Sequence, residues 1–153
     1  MTDRTQRTTE ARHAIEEIVL GYADAVDSAD LERVAELLDA ATVHLPGGAV
    51  LEGGEAVHAA YAETMTFYDD RGQVVPYQRR ACSPRLRHVT SNLRYQFDEA
   101  VTEARTECYV TVLHTLKAPA QVFATGRYLD RFVHDGEAWK IVERKLILDT
   151  PVG

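Results

Sequence analysis

Hydrophobic residues along this chain are distributed in two different ways, and the change from one to the other divides the sequence. Between about Thr9 and Tyr68, apolar side chains recur every three or four residues in three stretches, which is the spacing of an amphipathic helix. After about Arg85, four long segments rich in Val, Ile, Thr, Tyr and Phe favour β-strands. The pattern therefore predicts helices first and an antiparallel sheet after them.

The predicted helices cover residues 9–27, 31–39 and 55–68, and Asp30 is placed to cap the second. A short strand is expected at 42–45, and the long strands at 85–98, 104–117, 121–134 and 138–149. Helices with apolar stripes must cover one face of such a sheet, and a twisted sheet closes over them. The predicted fold class is α+β: a cone-shaped α+β barrel with three N-terminal helices on a strongly curved, mainly antiparallel sheet, and a pocket between the layers.

Length and charge narrow the class of protein. A chain of 153 residues without an internal linker is the size of one domain, so we expect a flexible N-terminus at 1–8 and a single domain at 9–150. The net charge of −7 argues against a nucleic-acid partner, and no apolar run is long enough for a membrane helix. No signal-peptide pattern precedes the domain, and Cys82 and Cys108 form no CxxC pair. We therefore expect a cytoplasmic protein.

Metal and hydrolase motifs are not recognisable in the sequence. His44, His58, His114 and His134 lack the i,i+4 or CxxC spacing typical of metal ligands. No GxSxG turn is present for a Ser-His-Asp hydrolase. We expect no metal and no cofactor.

His88 is the most interesting titratable residue, because it lies in the first long strand on a polar face. With a period of two, it shares that face with Thr90 and Asn92, which makes Asn92 a candidate substrate contact or else a bulge residue. The opposite face would carry Val89, Leu93, Tyr95 and Phe97, unless a bulge shifts the register. Turned outward, those four residues would form an apolar patch and favour a homodimer or homotrimer.

Asp27 and Tyr22 lie near the end of the first helix. A carboxylate at a helix C-terminus is disfavoured by the helix dipole unless another group stabilises it, so Asp27 either points to the pocket or lies in water. Tyr22 falls within the apolar stripe, so its buried hydroxyl needs a partner. Asp24, on the opposite side of the helix, is expected to be solvated.

Further residues are candidate substrate contacts. Glu107 and Tyr109 share one face of the second long strand, and either could line the pocket. Tyr61, Met65 and Tyr128 are also candidates, although residues of these types more often pack in a core.

Four segments of the chain resemble one family: residues 22–30 (YADAVDSAD), 88–93 (HVTSNL), 126–132 (GRYLDRF) and 139–142 (WKIV). From about residue 9 to 149, the chain looks like the SnoaL-like branch of the nuclear-transport-factor-2-like superfamily. It is most similar to the lyase-like members: scytalone dehydratase, bile acid 7α-dehydratase and hexachlorocyclohexane dehydrochlorinase. The resemblance implies a cone fold with Asp27 and His88 as a general acid–base pair and Tyr22 as a hydrogen-bond donor.

The resemblance also implies the reaction class. It points to a cofactor-independent lyase or isomerase, dehydratase-like, acting on a small hydrophobic ring compound such as a steroid-like or polyketide intermediate. A polyketide cyclase is an alternative, as is a non-catalytic subunit or ligand-binding module like a ring-hydroxylating dioxygenase β subunit. One departure concerns the last strand, where Leu148 stands at the position of the bile acid enzyme's functional arginine, while Arg144 and Lys145 are displaced from it.

Overall fold

Helices and strands follow the division that the hydrophobic periods predict. The computed structural model describes residues 3–150. The helices are α1 (Arg4–Asp27), α2 (Leu31–Leu37) and α3 (Gly53–Thr64). The strands are β1 (Thr42–His44), β2 (Val50–Glu52), β3 (Phe67–Tyr68), β4 (Val74–Val75), β5 (Leu86–Phe97), β6 (Glu103–His114), β7 (Gln121–His134) and β8 (Trp139–Leu148). The expected α+β fold class is confirmed, and the expected bounds of the four long strands hold to within three residues.

The first helix begins earlier than the pattern predicts. Asp3 caps it by accepting a hydrogen bond from the backbone N–H of Gln6 at 2.8 Å. The Arg4 side chain then donates to the backbone carbonyls of Asp98 and Glu99. Residues 4–8, predicted to be flexible, are therefore helical, while residues 1 and 2 of the same segment lie outside the described residues.

The third helix ends at Thr64, four residues before its predicted end. Met65 has an extended backbone, and Phe67–Tyr68 pairs with Val74–Val75 in a short hairpin that the sequence pattern did not reveal. At its start, α3 approaches α2 closely, because a Cβ on Gly54 would lie only 1.9 Å from the Ala35 carbonyl oxygen. Only glycine permits this approach.

The four long strands and the short strands β1 and β2 form one six-stranded sheet in the order β2-β1-β8-β7-β6-β5. All neighbours pair antiparallel except β1 with β8, which run parallel. Buried side chains alternate along β6 and β7 and face the helices, where they join the stripes of α1 and α2 in one core. Each candidate residue on these strands therefore lies either on this inner face or on the exposed outer face of the sheet.

A β-bulge in β5 changes which residues share a face. The register shifts between Ser91 and Arg94, and Asn92 adopts a left-handed backbone with a φ of 56°. Beyond the bulge, Tyr95 pairs with buried Thr106 and Phe97 with buried Ala104. The bulge alternative is therefore the one observed, and β5 does not present all four apolar side chains on its outer face. Leu93, Tyr95 and Phe97 pack against the core, and Val89 alone of the four lies on the exposed side.

None of the helices within residues 3–150 combines the length and the apolar character needed to cross a bilayer.

Candidate active site

Asp27 and His88 are in direct contact. The Asp27 Oδ1 atom lies 2.6 Å from Nδ1 of the His88 ring, and Oδ2 accepts a hydrogen bond from the His88 backbone N–H at 2.8 Å. Both side chains are largely buried, at 6% and 10% exposure. A carboxylate held in this way is satisfied by two donors from one residue, which explains why an acidic side chain is tolerated at the last residue of α1.

The second ring nitrogen of His88 is left free. When the carboxylate is ionised and the ring is neutral, Nδ1 carries the proton between the two side chains and Nε2 carries the lone pair. Nε2 makes no hydrogen bond to any residue in 3–150, and it is not among the side-chain nitrogens shut off from solvent without a partner. The pair therefore presents an oriented imidazole base.

Two tyrosines lie beside the pair on the inner side of α1. The Tyr22 ring meets the His88 ring edge-on, with centroids 6.5 Å apart. The Tyr22 hydroxyl shares a 2.8 Å hydrogen bond with the hydroxyl of Tyr61 on α3. Burial raises the pKa of both phenols above their usual value, so both stay protonated at neutral pH and one O–H of the pair can be donated to a third group. The structure thus brings together Tyr22 and Tyr61, two residues that the sequence analysis named as separate candidates.

A buried arginine completes this cluster, and the sequence analysis did not select it. Arg144 on β8 is 2% exposed and forms two hydrogen bonds, of 2.9 and 2.8 Å, with Asp130 on β7. Its guanidinium carbon lies 4.6 Å from the Tyr22 ring centroid and 3.8 Å from that of Tyr128. Nη1 is buried and has no partner in the described part of the chain. Although burial alone disfavours the charge, Asp130 holds the pKa of Arg144 above its ordinary range.

Arg144 was set aside as displaced from the position of the bile acid enzyme's arginine, and its neighbours Glu143 and Lys145 give it the look of a solvated charged run. The register of β7 with β8 shifts between Arg131 and Phe132, and this turns Arg144 inward. A signal was present in β7, where Asp130 shares the inward-facing positions with the apolar side chains of Tyr128 and Phe132. A carboxylate on a core face requires a buried cation nearby.

The other predicted contacts divide between the two faces of the sheet. Tyr128 is buried under Arg144, and Met65 is partly buried against the core. Glu107 and Tyr109 lie on the outer face, so the expectation that they line the inner pocket was wrong: their neighbours Cys108 and Val110 take the inward positions. Asn92 is exposed in the β5 bulge, and Asp24 is solvated as expected.

The Asp27–His88 pair is reached from a shallow groove of about 340 Å³ between α1 and β5. Exposed Leu20 and Val89 line its two sides, and Arg87 also contributes to its wall. The cone interior beside the pair is occupied by Tyr22, Tyr128 and Arg144. No group of three or more His, Cys, Asp or Glu side chains among residues 3–150 is arranged to hold a metal ion.

The cone, with polar side chains clustered in its interior, is an α+β fold of three helices on one curved sheet. Residues 7–145 match the model of the SnoaL-like domain, and the chain belongs to that family. No curated protein matches it in sequence.

Solved structures with the same fold include both enzymes and proteins without an assigned function. A protein of unknown function from Mycobacterium tuberculosis is 20% identical, with a TM-score of 0.74 over 98% of this chain and 78% of that one. A scytalone dehydratase-like protein from Novosphingobium aromaticivorans is 23% identical, with a TM-score of 0.72 over 95% and 89%. A hexachlorocyclohexane dehydrochlorinase from Novosphingobium barchaimii is 19% identical, with a TM-score of 0.69 over 96% and 93%. At these identities the likeness establishes the fold.

Proposed function

We propose that this protein is a cofactor-independent lyase or isomerase, dehydratase-like, in which His88 removes a proton from a carbon of a small hydrophobic ring compound. The observation that carries the proposal is the 2.6 Å contact between Asp27 Oδ1 and His88 Nδ1, with Nε2 unpartnered within residues 3–150. It supports a general base whose tautomer is set and whose protonated form is stabilised by the neighbouring carboxylate.

The proton transfer leaves an electron pair that the rest of the site must accommodate. When the C–H bond breaks, the proton goes to Nε2 and the electron pair forms a new double bond. In an elimination a leaving group departs from the adjacent carbon. In an isomerisation the pair forms an enolate, which takes a proton back at another carbon. Both routes place negative charge on an oxygen, either of the enolate or of the departing hydroxyl.

Tyr22 and Arg144 are the groups suited to that negative charge. The Tyr22–Tyr61 pair has one O–H to donate, and Arg144 Nη1 has N–H groups without a partner within residues 3–150. Because Asp130 already balances the guanidinium charge, the arginine can hold an oxygen atom without being drawn away from its place between the tyrosine rings. A ring substrate with one polar oxygen would use these donors and aromatic rings once it has entered the cone from the groove beside His88.

Exchange of substrate hydrogen for deuterium is a test that does not require the final product to be known. Cyclic ketones and β-hydroxy ketones, including steroid-like and polyketide-like compounds, are incubated with the protein in D₂O, and exchange is followed by NMR and mass spectrometry. Isomerisation, aldol cyclisation and stepwise elimination all pass through an enolate that can take up deuterium, so the assay covers the polyketide cyclase alternative, and mass spectrometry detects the loss of the leaving group in a concerted elimination. His88→Gln is expected to lower the exchange rate by about 10²–10⁴-fold.

Asp27→Asn tests the positioning of the ring. The substitution keeps the shape but puts an N–H₂ where one acceptor oxygen was, so it disturbs the tautomer. We expect a loss of roughly tenfold or more in exchange, together with a change in the ¹⁵N shifts of His88 from the Nδ1–H pattern. His13→Gln and Glu17→Gln, at exposed positions of α1, are matched controls that should leave both readouts unchanged. Full exchange activity in His88→Gln would falsify the proposal.

A ligand-binding module without catalysis is the second candidate. It is favoured by the fact that both Asp27 oxygens bind the same residue, an arrangement that ties α1 to β5 whether or not chemistry follows. In that case His88→Gln binds the ring compounds as well as the wild type does, and neither protein exchanges deuterium.

A further inference from the structure

The turn between α1 and α2 is held from outside by a segment that the proposed site does not include. This turn, residues 28–30, directly follows Asp27, the last residue of α1. The segment, residues 77–80, belongs to the connection between the short hairpin and β5, and we call it the clasp. The clasp contacts four consecutive residues, 29–32. The turn that it holds is therefore the one that fixes where α1 ends.

Tyr77 joins the clasp to the first residues of α2. Its hydroxyl accepts a hydrogen bond from the backbone N–H of Leu31 at 3.0 Å and donates one to the carboxylate of Glu32. The Tyr77 ring is fixed by Phe67 and His58, at centroid distances of 5.1 and 5.8 Å. An N–H in the first turn of a helix has no partner within that helix, so Tyr77 supplies the acceptor that Leu31 needs.

Arg79 and Arg80 hold the turn itself. Arg79 Nε donates to the Asp30 carboxylate at 2.8 Å, and the Arg80 backbone N–H donates to the Ala29 carbonyl at 2.9 Å. The Asp30 carboxylate also caps α2. One side chain of the turn is therefore bonded both to the following helix and to the clasp.

Backbone strain is concentrated around the Asp27–His88 pair. Five residues other than glycine in 3–150 have a left-handed backbone, which L-amino acids rarely adopt. Ala29, with a φ of 57°, lies two residues after Asp27. Arg85 and Asn92, with φ of 52° and 56°, lie on either side of His88 in the sequence. Such conformations persist only where surrounding contacts hold them, and they often occur at functional sites.

We propose that Tyr77 and Arg79 are positioning residues, which hold this turn so that the Asp27 carboxylate keeps its place against the base. The inference rests on the proposed function, in which His88 is that base. Helix ends fray, so a carboxylate on the last residue of a helix follows any movement of the turn behind it. A misplacement of about 1 Å at a catalytic contact can lower a rate by about 10²-fold. Neither Tyr77 nor Arg79 lines the groove beside the pair, so their effect passes through Asp27 rather than through the substrate.

The test uses the double variant Tyr77→Phe/Arg79→Gln, which keeps the aromatic ring and removes the hydroxyl and the guanidinium. The ¹⁵N NMR signals of the His88 ring report the Asp27 contact, and we expect the Nδ1–H form to weaken and an Nε2–H form to appear. On a ketone that the wild type exchanges, the deuterium exchange rate at saturation is expected to fall about ten- to hundredfold with an unchanged KM. Each single substitution is expected to produce part of both effects.

A matched control removes the same two kinds of group from contacts outside the clasp. Tyr95→Phe/Arg4→Gln deletes the hydroxyl contact with the Arg12 carbonyl and the arginine contacts with the carbonyls of Asp98 and Glu99. Both contacts tie α1 to β5 and its following turn, far along the helix from Asp27. The control is expected to keep the wild-type NMR signals and the wild-type exchange rate.

Circular dichroism establishes that each variant is folded. The proposal is overturned if the folded double variant keeps the wild-type Nδ1–H signal, or if the control loses that signal to the same extent. If the double variant does not fold, the two single substitutions are judged by the same criteria. Because the NMR signal requires no turnover, a wild type that shows the signal but exchanges no ketone would contradict the proposed function and not the role of the clasp.

Discussion

The buried pair of Arg144 and Asp130 allows a prediction whose magnitude follows from the geometry. Replacing Asp130 with Leu removes two charge-assisted hydrogen bonds, of 2.9 and 2.8 Å, each worth about 1.5–3 kcal/mol. It also leaves a guanidinium charge at 2% exposure without a counter-ion. Loss of one partner of a buried pair costs about 3–5 kcal/mol, so we expect Asp130→Leu to lower the free energy of unfolding by that amount.

Removing both charges should reverse most of this loss. In Asp130→Leu/Arg144→Met no charge remains in the core, and the methionine side chain can pack between the rings of Tyr22 and Tyr128. The assay is a double-mutant cycle measured by urea unfolding, followed by circular dichroism. We expect the two substitutions to couple by about 3 kcal/mol. Coupling below about 1 kcal/mol would refute the reasoning, because it would mean that the two charged side chains contribute independently to the free energy of unfolding.

The same double variant also tests the proposed chemistry. It keeps the fold but has no N–H donor at position 144, so deuterium exchange on a ketone substrate should fall although the Asp27–His88 pair is intact. Unchanged exchange would remove Arg144 from the mechanism and leave its role structural.

Other predictions concern alkaline pH and packing. Burial raises the pKa of Tyr22, Tyr61 and Tyr128 above the usual value of about 10. Their contribution to stability is therefore complete below about pH 10 and is lost as the pH rises through their folded-state values. Absorbance at 295 nm should show three of the seven tyrosines ionising only together with unfolding, and ionisation of all seven in the folded protein would contradict this. Gly54→Ala is expected to lower the free energy of unfolding by about 1–3 kcal/mol, because its Cβ meets the Ala35 carbonyl; an unchanged urea midpoint would mean that α2 and α3 can separate without cost.

The order of elements could be predicted because it depends on patterns that are local in the sequence. The 3.6-residue period identified the helices, and segments rich in Val, Ile, Thr, Tyr and Phe identified the long strands. The Asp30 cap of α2 was found from residue type, and its side chain accepts from the Arg33 backbone N–H. The short hairpin of β3 and β4 was missed, since its two-residue strands are too short to display a period.

Positions beyond a bulge could not be predicted, because one extra residue exchanges the two faces of a strand. Asn92 moved Leu93, Tyr95 and Phe97 from the expected outer face to the core. A shift in β8 pairing likewise buried Arg144. The contact of Asp27 with His88 was anticipated from family resemblance rather than from spacing, because 61 residues separate the two and only the folded chain brings them together.

The bond between the Asp27 carboxylate and the His88 backbone has a consequence for aggregation. β5 is the last strand of its sheet, and the His88 N–H donates to the Asp27 carboxylate of α1 at the side of β5 where a strand from another molecule could otherwise pair. Asp27 occupies that donor and places a negative charge beside the edge. Replacing Asp27 by an apolar residue would therefore expose a free edge next to Leu20 and Val89, two apolar side chains already in contact with water. The carboxylate that contacts the His88 ring is therefore also expected to limit intermolecular β-pairing, so Asp27 bears on solubility as well as on the proposed chemistry.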